Sequence, residues 1–165
     1  MLGKTDKHFL FEVQLNWLKA KKGILFARDA EGTLPIATPP KFGGAGKPWT
    51  PEHYFLSSIS GCFMTTFLDF AQKAGLQISH FDCNIIGQIE NAEGKYKFTK
   101  IDLFPRVYIE IEWLREKAKL VLEKTHKYCL ITHSVNAGVF YHSQVLINPD
   151  LAIPAGNRKE VECNY

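Results

Sequence analysis

Two cysteines stand out by their surroundings. Cys62 follows Gly61 in the run SISGCFMTTF, and Cys129 closes a charged, helix-forming stretch in HKYC. A buried cysteine mostly behaves as a small apolar residue, so packing is the ordinary reading of either one. Three features open a chemical reading beside it. Gly61 costs a helix interior about 1 kcal/mol relative to alanine. The small residues of SSISG clear bulk around Cys62, leaving room for a neighbouring backbone or a substrate. Two inward-facing helix positions can also meet the Cα separation of under about 7 Å that a disulfide requires. The remaining cysteines differ: Cys83 alternates inward on a strand and reads as core, and Cys163 lies in a polar tail with no special role.

A reactive thiol needs something to stabilise its anion. Cys62 lies eleven residues past Pro51, some three turns into its helix, where the field of the helix N-terminus has faded. The charge must therefore come from another segment. Of the four arginines, Arg115 falls on a solvent face, Arg158 lies in the tail, and Arg106 sits beside Pro105 in a strand. Arg28, in FARDAEG, stands at a strand end just before the loop that feeds the Cys62 helix. A guanidinium stays charged when buried and offers planar, multi-donor contact, which Lys41 and Lys47 do not. Glu52 is the anion placed to hold it. Local sequence leaves plainer readings open: Arg28 as a surface charge, and Glu52 as a complement to the helix dipole.

These residues need elements to position them. Residues 9–17 alternate, with Phe9, Phe11, Val13, Leu15 and Trp17 on one side, which predicts a half-buried strand. ILFARD and TLPIAT read as two shorter strands, and the Pro/Gly-rich PPKFGGAGKPW as a loop without regular structure. Thr50 as N-cap, Pro51 at the first helical position and Glu52 in the first turn predict a helix running to about Ala74 and stopping at Gly75. Apolar residues on every side of it imply a helix enclosed by protein.

Residues 81–91 and 97–111 alternate again, as a hairpin turning at NAEGK. From about Glu112 a second helix presents Leu114, Ala118, Val121, Thr125 and Cys129 inward, and Arg115, Glu116, Lys119, Glu123 and Lys127 to water. A turn or short helix at THSVNAG leads into a final strand, VFYHSQVLI. Strands and helices in this order predict an α+β fold. Residues 1–148 read as a single domain and 149–165 as an irregular tail. A domain of this size does not enclose a helix on all sides by itself, so a second copy covering part of residues 54–71 is expected, giving a homodimer.

The chain has 165 residues, 45% hydrophobic and 22% charged, with a net charge of +3. Scattered lysines and so small a charge argue against a nucleic-acid partner. Residues 54–71 are too polar for a membrane span, and no apolar leader is visible at the N-terminus. A cytoplasmic location follows as the expectation, one in which cysteines are free, catalytic or metal-binding rather than structural disulfides.

GGAGKPWTPEHYFLSSISGCF resembles the pattern G-G-x-G-x-x-x-x-P-E, nine residues, C-F of the OsmC/Ohr family of osmotically inducible and organic hydroperoxide resistance proteins. ARDAEG resembles the Arg-Asp-x-x-Gly segment before it, and KYCLITHSV the second cysteine motif. The resemblance implies an OsmC-like fold: antiparallel sheets packed on two central cysteine-bearing helices in an intertwined homodimer, with active sites at the subunit interface. It implies thiol-dependent reduction of small organic hydroperoxides. By position Cys62 matches the peroxidatic cysteine, Cys129 the resolving cysteine, Arg28 the activating arginine and Glu52 its carboxylate partner. No cofactor is implied beyond an external dithiol reductant of lipoyl type. The chain departs from the pattern in having Cys129-Leu130-Ile131-Thr132 where peroxidases usually read Cys-Pro-Tyr-Ser or Cys-Pro-Val-Ser, and Trp49-Thr50-Pro51-Glu52 for Thr-Asn-Pro-Glu.

Other classes stay in view. The same residues suit a dimer that binds an apolar ligand with idle cysteines, for which the twelve phenylalanines supply a lining. A hydrolase would use Cys62 as nucleophile with His53, His126 or His133 as base. Metal binding through Cys129 and His133 lacks a second ligand pair at suitable spacing.

Overall fold

Thr50, Pro51 and Glu52 begin helix α1 (Pro51–Lys73) in the computed structural model, which describes residues 8–44 and 46–147. Cys163, Arg158 and the tail expected from residue 149 lie outside the described residues. Thr50 donates its backbone N–H to His53 Nδ1 at 3.1 Å and accepts the Tyr54 N–H on its carbonyl, so the first turn is closed at both ends. At the other end Gly75 has φ +60°, and the Leu76 N–H reaches the Ala71 carbonyl at 2.9 Å. That left-handed residue terminates the helix where glycine is least strained.

The chain divides into two compact units between Tyr54 and Phe55. The first holds a three-stranded antiparallel sheet of β1 (Gln14–Lys19), β2 (Lys22–Phe26) and β3 (Leu34–Ala37), with β2 in the middle. β1 is shorter and later than the strand expected over 9–17, and it is exposed rather than half-buried: Phe9 is 76% exposed and Trp17 74%. Among the described residues β1 pairs only with β2, and its apolar side chains stay exposed. The loop expected to lack regular structure contains one 3-10 turn, Pro40–Phe42. Gly44 follows it because a Cβ there would lie 1.7 Å from the Thr38 carbonyl oxygen.

In the second unit β4 (His80–Ala92) and β5 (Lys95–Ile109) form a long hairpin. Its turn places Glu93 at φ 56° and Gly94 at φ 79°, the paired left-handed conformation that suits the right-handed twist of the strands. Helices α2 (Arg115–Tyr128) and α3 (Leu130–His133) follow, then β6 (Gly138–Tyr141) and β7 (Gln144–Ile147). The sheet is mixed, not antiparallel throughout, because β6 and β7 both run parallel to β5. The single final strand expected from the sequence is broken at His142 and Ser143. The break falls opposite Phe104 and Pro105, since β6 pairs with Lys100–Leu103 and β7 with Arg106–Ile109. Pro105 has no N–H to contribute to a ladder.

The core combines two periodicities. Ile59, Phe63, Phe67 and Ala71 repeat every fourth residue along α1, and Ile101, Leu103, Val107 and Ile109 alternate on β5. Ala118, Val121, Leu122 and Thr125 supply the stripe of α2. α1 is therefore buried along one stripe rather than on every side, and Met64 and Leu68 remain about two-fifths exposed at 39% and 41%. Arg115 is not on a solvent face: it is half-buried, paired with Glu112 and donating to the Val145 carbonyl, which ties the start of α2 to β7.

Candidate functional site

Cys62 and Cys129, 67 positions apart in the chain, are brought together in the second unit. Cys62 is half-buried on α1, with its Sγ 4.0 Å from Thr66 Oγ1 one turn on. Cys129 is fully buried just beyond α2, not within it as the periodicity suggested: it ends α2 and precedes α3, with φ −66° and ψ 111°. That extended residue ends the helix, and its thiol packs in the same core as Cys62, near enough for the two to interact electrostatically. Cys62, Cys83 and Cys129 are all free thiols.

Burial pushes the Cys129 thiol above its ordinary pKa, and the neighbouring Cys62 thiol adds to the rise, while the adjacent backbone and side chain of Thr132 pull it down. At neutral pH Cys129 is a protonated thiol. Thr132 Oγ1 also donates to the Cys129 carbonyl at 2.8 Å, fixing the turn that carries the cysteine. Beneath the pair stands an aromatic cluster. The His126 and Tyr141 rings are stacked 4.1 Å apart, and Phe63 lies against both.

The sequence did not mark Thr132 or Tyr141. The only signals for them were position: Thr132 stands where the usual second-cysteine motif has serine, and Tyr141 shares strand parity with Val139.

In the first unit, Glu52 Oε2 is buried without a hydrogen-bond partner among the described residues. Arg28 is exposed and makes no ion pair among the described residues. No ion pair therefore joins Arg28 to Glu52 within one chain. Nor does the chain fill the space beside Gly61, where a Cβ would meet no atom within 4 Å.

The histidines weighed as bases are all engaged. His53 Nδ1 is held by Thr50, His126 Nε2 lies 3.0 Å from Ser143 Oγ, and His133 Nε2 lies 2.8 Å from the Lys127 carbonyl oxygen. Among the described residues no hydrogen bond joins a thiol to an imidazole, and no group of three or more His, Cys, Asp or Glu side chains could hold a metal ion. No helix among the described residues is long and apolar enough to cross a membrane.

A cavity of about 550 Å³ lies in the same unit, walled by the stacked rings of Phe55 and Phe98 and by Val135, with Lys97, Thr99 and Asn136 at its edge. Phe55 precedes Cys62 by seven residues, two turns along α1. Neither cysteine lines this cavity.

Fold and site together define an α+β protein built around two neighbouring free thiols, one buried and one half-buried. The OsmC-like protein family profile matches residues 44–142, more than half of the chain, and the chain belongs to that family. Among curated proteins no sequence matches it. Solved structures share its fold. An OsmC-like protein of unknown function from Vibrio cholerae is 18% identical, with a TM-score of 0.72 over 82% of this chain and 99% of that one. An OsmC-like protein from Mycoplasma pneumoniae is 14% identical, with a TM-score of 0.71 over 86% and 99%. An organic hydroperoxide resistance protein from Elizabethkingia anophelis is 16% identical, with a TM-score of 0.68 over 87% and 100%.

Proposed function

We propose that this protein is a thiol-dependent peroxidase that reduces organic hydroperoxides to alcohols. The observation that carries the reading is the proximity of Cys62 and Cys129, two free thiols from distant segments packed in one core, with no metal-binding group among the described residues. The Cys62 thiolate attacks the outer oxygen of ROOH. A sulfur–oxygen bond forms, the O–O bond breaks, and the alkoxide leaves as alcohol after taking a proton. The Cys129 thiol then condenses with the Cys62 sulfenic acid, releasing water and forming a disulfide. An external dithiol, of lipoyl type, returns both sulfurs to thiols, a cycle suited to the reducing cytoplasm.

An unassisted thiol is only about 3% ionised at neutral pH, so complete deprotonation gains about 30-fold, near 2 kcal/mol. Peroxide cleavage needs more, and Arg28 supplies it by polarising the O–O bond and stabilising the leaving alkoxide. Glu52 holds the guanidinium in place. Within one chain Glu52 precedes Cys62 by ten helical residues, about 15 Å of rise, so the constellation is completed by a second copy. The unpartnered Glu52 oxygen, the free Arg28 and the uncovered apolar residues of β1 support that homodimer.

The test is peroxide turnover with a dithiol reductant for the wild type, Cys62→Ser and Cys129→Ser, with mass spectrometry of the oxidised protein. Cys62→Ser abolishes turnover, and the oxidised wild type carries a Cys62–Cys129 disulfide. Two unmodified thiols after treatment would overturn the reading and favour a dimer that binds an apolar ligand. Cumene hydroperoxide is expected to turn over faster than hydrogen peroxide, because the surroundings of the pair are apolar.

A further inference from the structure

Helix α2 carries five cations, Arg115, Lys117, Lys119, Lys124 and Lys127, against Glu116 and Glu123, an excess equal to the +3 of the whole chain. Part of it is neutralised locally, since Arg115 pairs with Glu112 and Lys119 with Glu116. Lys124 and Lys127, toward the end of the helix, pair with no carboxylate and donate to no carbonyl oxygen among the described residues. They are therefore not spent on capping the helix, the usual task of cations at this end.

They rest instead on aromatic rings. Lys124 Nζ lies 4.4 Å from the centroid of Phe70, Lys73 Nζ lies 5.9 Å from the same ring, and Lys127 Nζ lies 5.6 Å from that of Tyr128. The two rings meet edge to face at 5.8 Å. Lys73 is held by Asp69 at 2.6 Å, so Lys124 and Lys127 are the uncompensated charges of this patch.

The place of the patch gives it a use. Phe70 stands two turns past Cys62 on α1, and Tyr128 directly precedes Cys129. Their contact ties together the two segments that carry the thiols, with the ammoniums around it. Tyr128 is 54% exposed, and Leu130, on the other side of Cys129, 68%. The surface over the buried thiol is thus open, apolar and positive, which suits an anion with an apolar body. In a peroxidase cycle the reductant must come to this thiol pair at every turnover.

We propose that Lys124 and Lys127 form a docking patch that selects a negatively charged dithiol as the electron donor. This rests on the peroxidase reading and concerns its reset. One donor thiolate attacks the sulfur of Cys62, the less buried of the two cysteines. A mixed disulfide forms as the Cys62–Cys129 bond breaks, and Cys129 leaves as a thiolate that takes up a proton. The second donor thiol then attacks the donor sulfur of the mixed disulfide. Cys62 is released as a thiol, and the donor departs as a cyclic disulfide, oxidised by the two electrons that the protein disulfide has gained.

Dihydrolipoate and dihydrolipoamide carry the same dithiol and differ in a carboxylate against a carboxamide. Cumene hydroperoxide is neutral, so with it at saturation only the donor's charge varies. At low ionic strength kcat/KM for dihydrolipoate exceeds that for dihydrolipoamide about fivefold, the size of two exposed charge contacts. The ratio falls toward one in about 0.5 M salt. Lys124→Gln with Lys127→Gln brings it to about one at low salt and leaves the dihydrolipoamide rate unchanged, whereas Lys124→Arg with Lys127→Arg keeps it. Lys95→Gln with Lys97→Gln removes the same charge from the start of β5 and also keeps it, which separates the patch from net charge. A wild-type ratio near one, or a ratio that survives Lys124→Gln with Lys127→Gln, overturns the patch, while dihydrolipoamide turnover upholds the peroxidase. So does a double variant that changes the sedimentation coefficient and not the ratio, since the lysines would then serve a second copy. Absence of turnover with either donor overturns the peroxidase reading and the patch with it.

Discussion

β1 and β5 are written in the same alternating pattern and end in opposite surroundings. Ile101, Leu103, Val107 and Ile109 on β5 are 0% exposed, whereas Leu15 and Trp17 on β1 are 60% and 74% exposed. β5 lies between β4 and the pair β6 and β7, and the apolar stripes of α1 and α2 join its residues in one core. Among the described residues β1 is an edge strand paired only with β2. Alternation thus specifies that a face is apolar, and the neighbours decide whether it is covered. A long apolar edge left open invites another chain, which is why the first unit carries the argument for a second copy.

The covered face gives the largest effect. Phe67→Ala removes a fully buried ring at the centre of the α1 stripe and costs about 3–5 kcal/mol in urea unfolding; a cost below about 1 kcal/mol would mean the core is looser than described. Trp17→Glu probes the uncovered face. It leaves the unfolding of the monomer within about 0.5 kcal/mol, yet weakens self-association by about 2 kcal/mol in sedimentation velocity, as the loss of an interface anchor does. Unchanged association would remove β1 from the proposed dimer interface.

Arg28→Lys keeps the positive charge and loses the planar fork. Turnover of cumene hydroperoxide falls about tenfold or more, and full retention of turnover would end the clamp role. Smallest is the response of Cys83, the thiol of the second unit outside the pair. Burial, opposed by the Phe104 backbone and helped by the charge of Asp82, pushes it up to about 11. The folded state therefore keeps a proton that the unfolded chain has lost, and stability falls as pH climbs from the ordinary thiol value toward about 11. Cys83→Ala flattens that stretch of the curve, while a slope equal to wild type assigns it to other groups. Below the ordinary value the two proteins share one pH dependence.

The α+β class, the bounds of α1 and the inward stripe of α2 were legible because each is a local pattern: a cap with proline, a terminating glycine, a repeat every third or fourth residue. Cys62 and Cys129 were legible as a possible pair because both fall on inward helix faces, and motif spacing joined them. Three things were not. The split of the last strand depends on Pro105, which lies far away in sequence and acts through register. The exposure of residues 9–17 depends on what covers them. The end of α2 at Cys129 is a backbone turn that no residue type in KYCLIT announces.

The break at Cys129 has a consequence for the oxidised protein. A bond from there to Cys62 would enclose the 67 positions that hold the later half of α1, the β4–β5 hairpin and all of α2. Tying off a loop of that length removes chain entropy from the unfolded state worth about 4 kcal/mol in the simple polymer treatment. Each turnover would then cycle the domain between a looser and a stapled form, and its melting temperature would report its redox history.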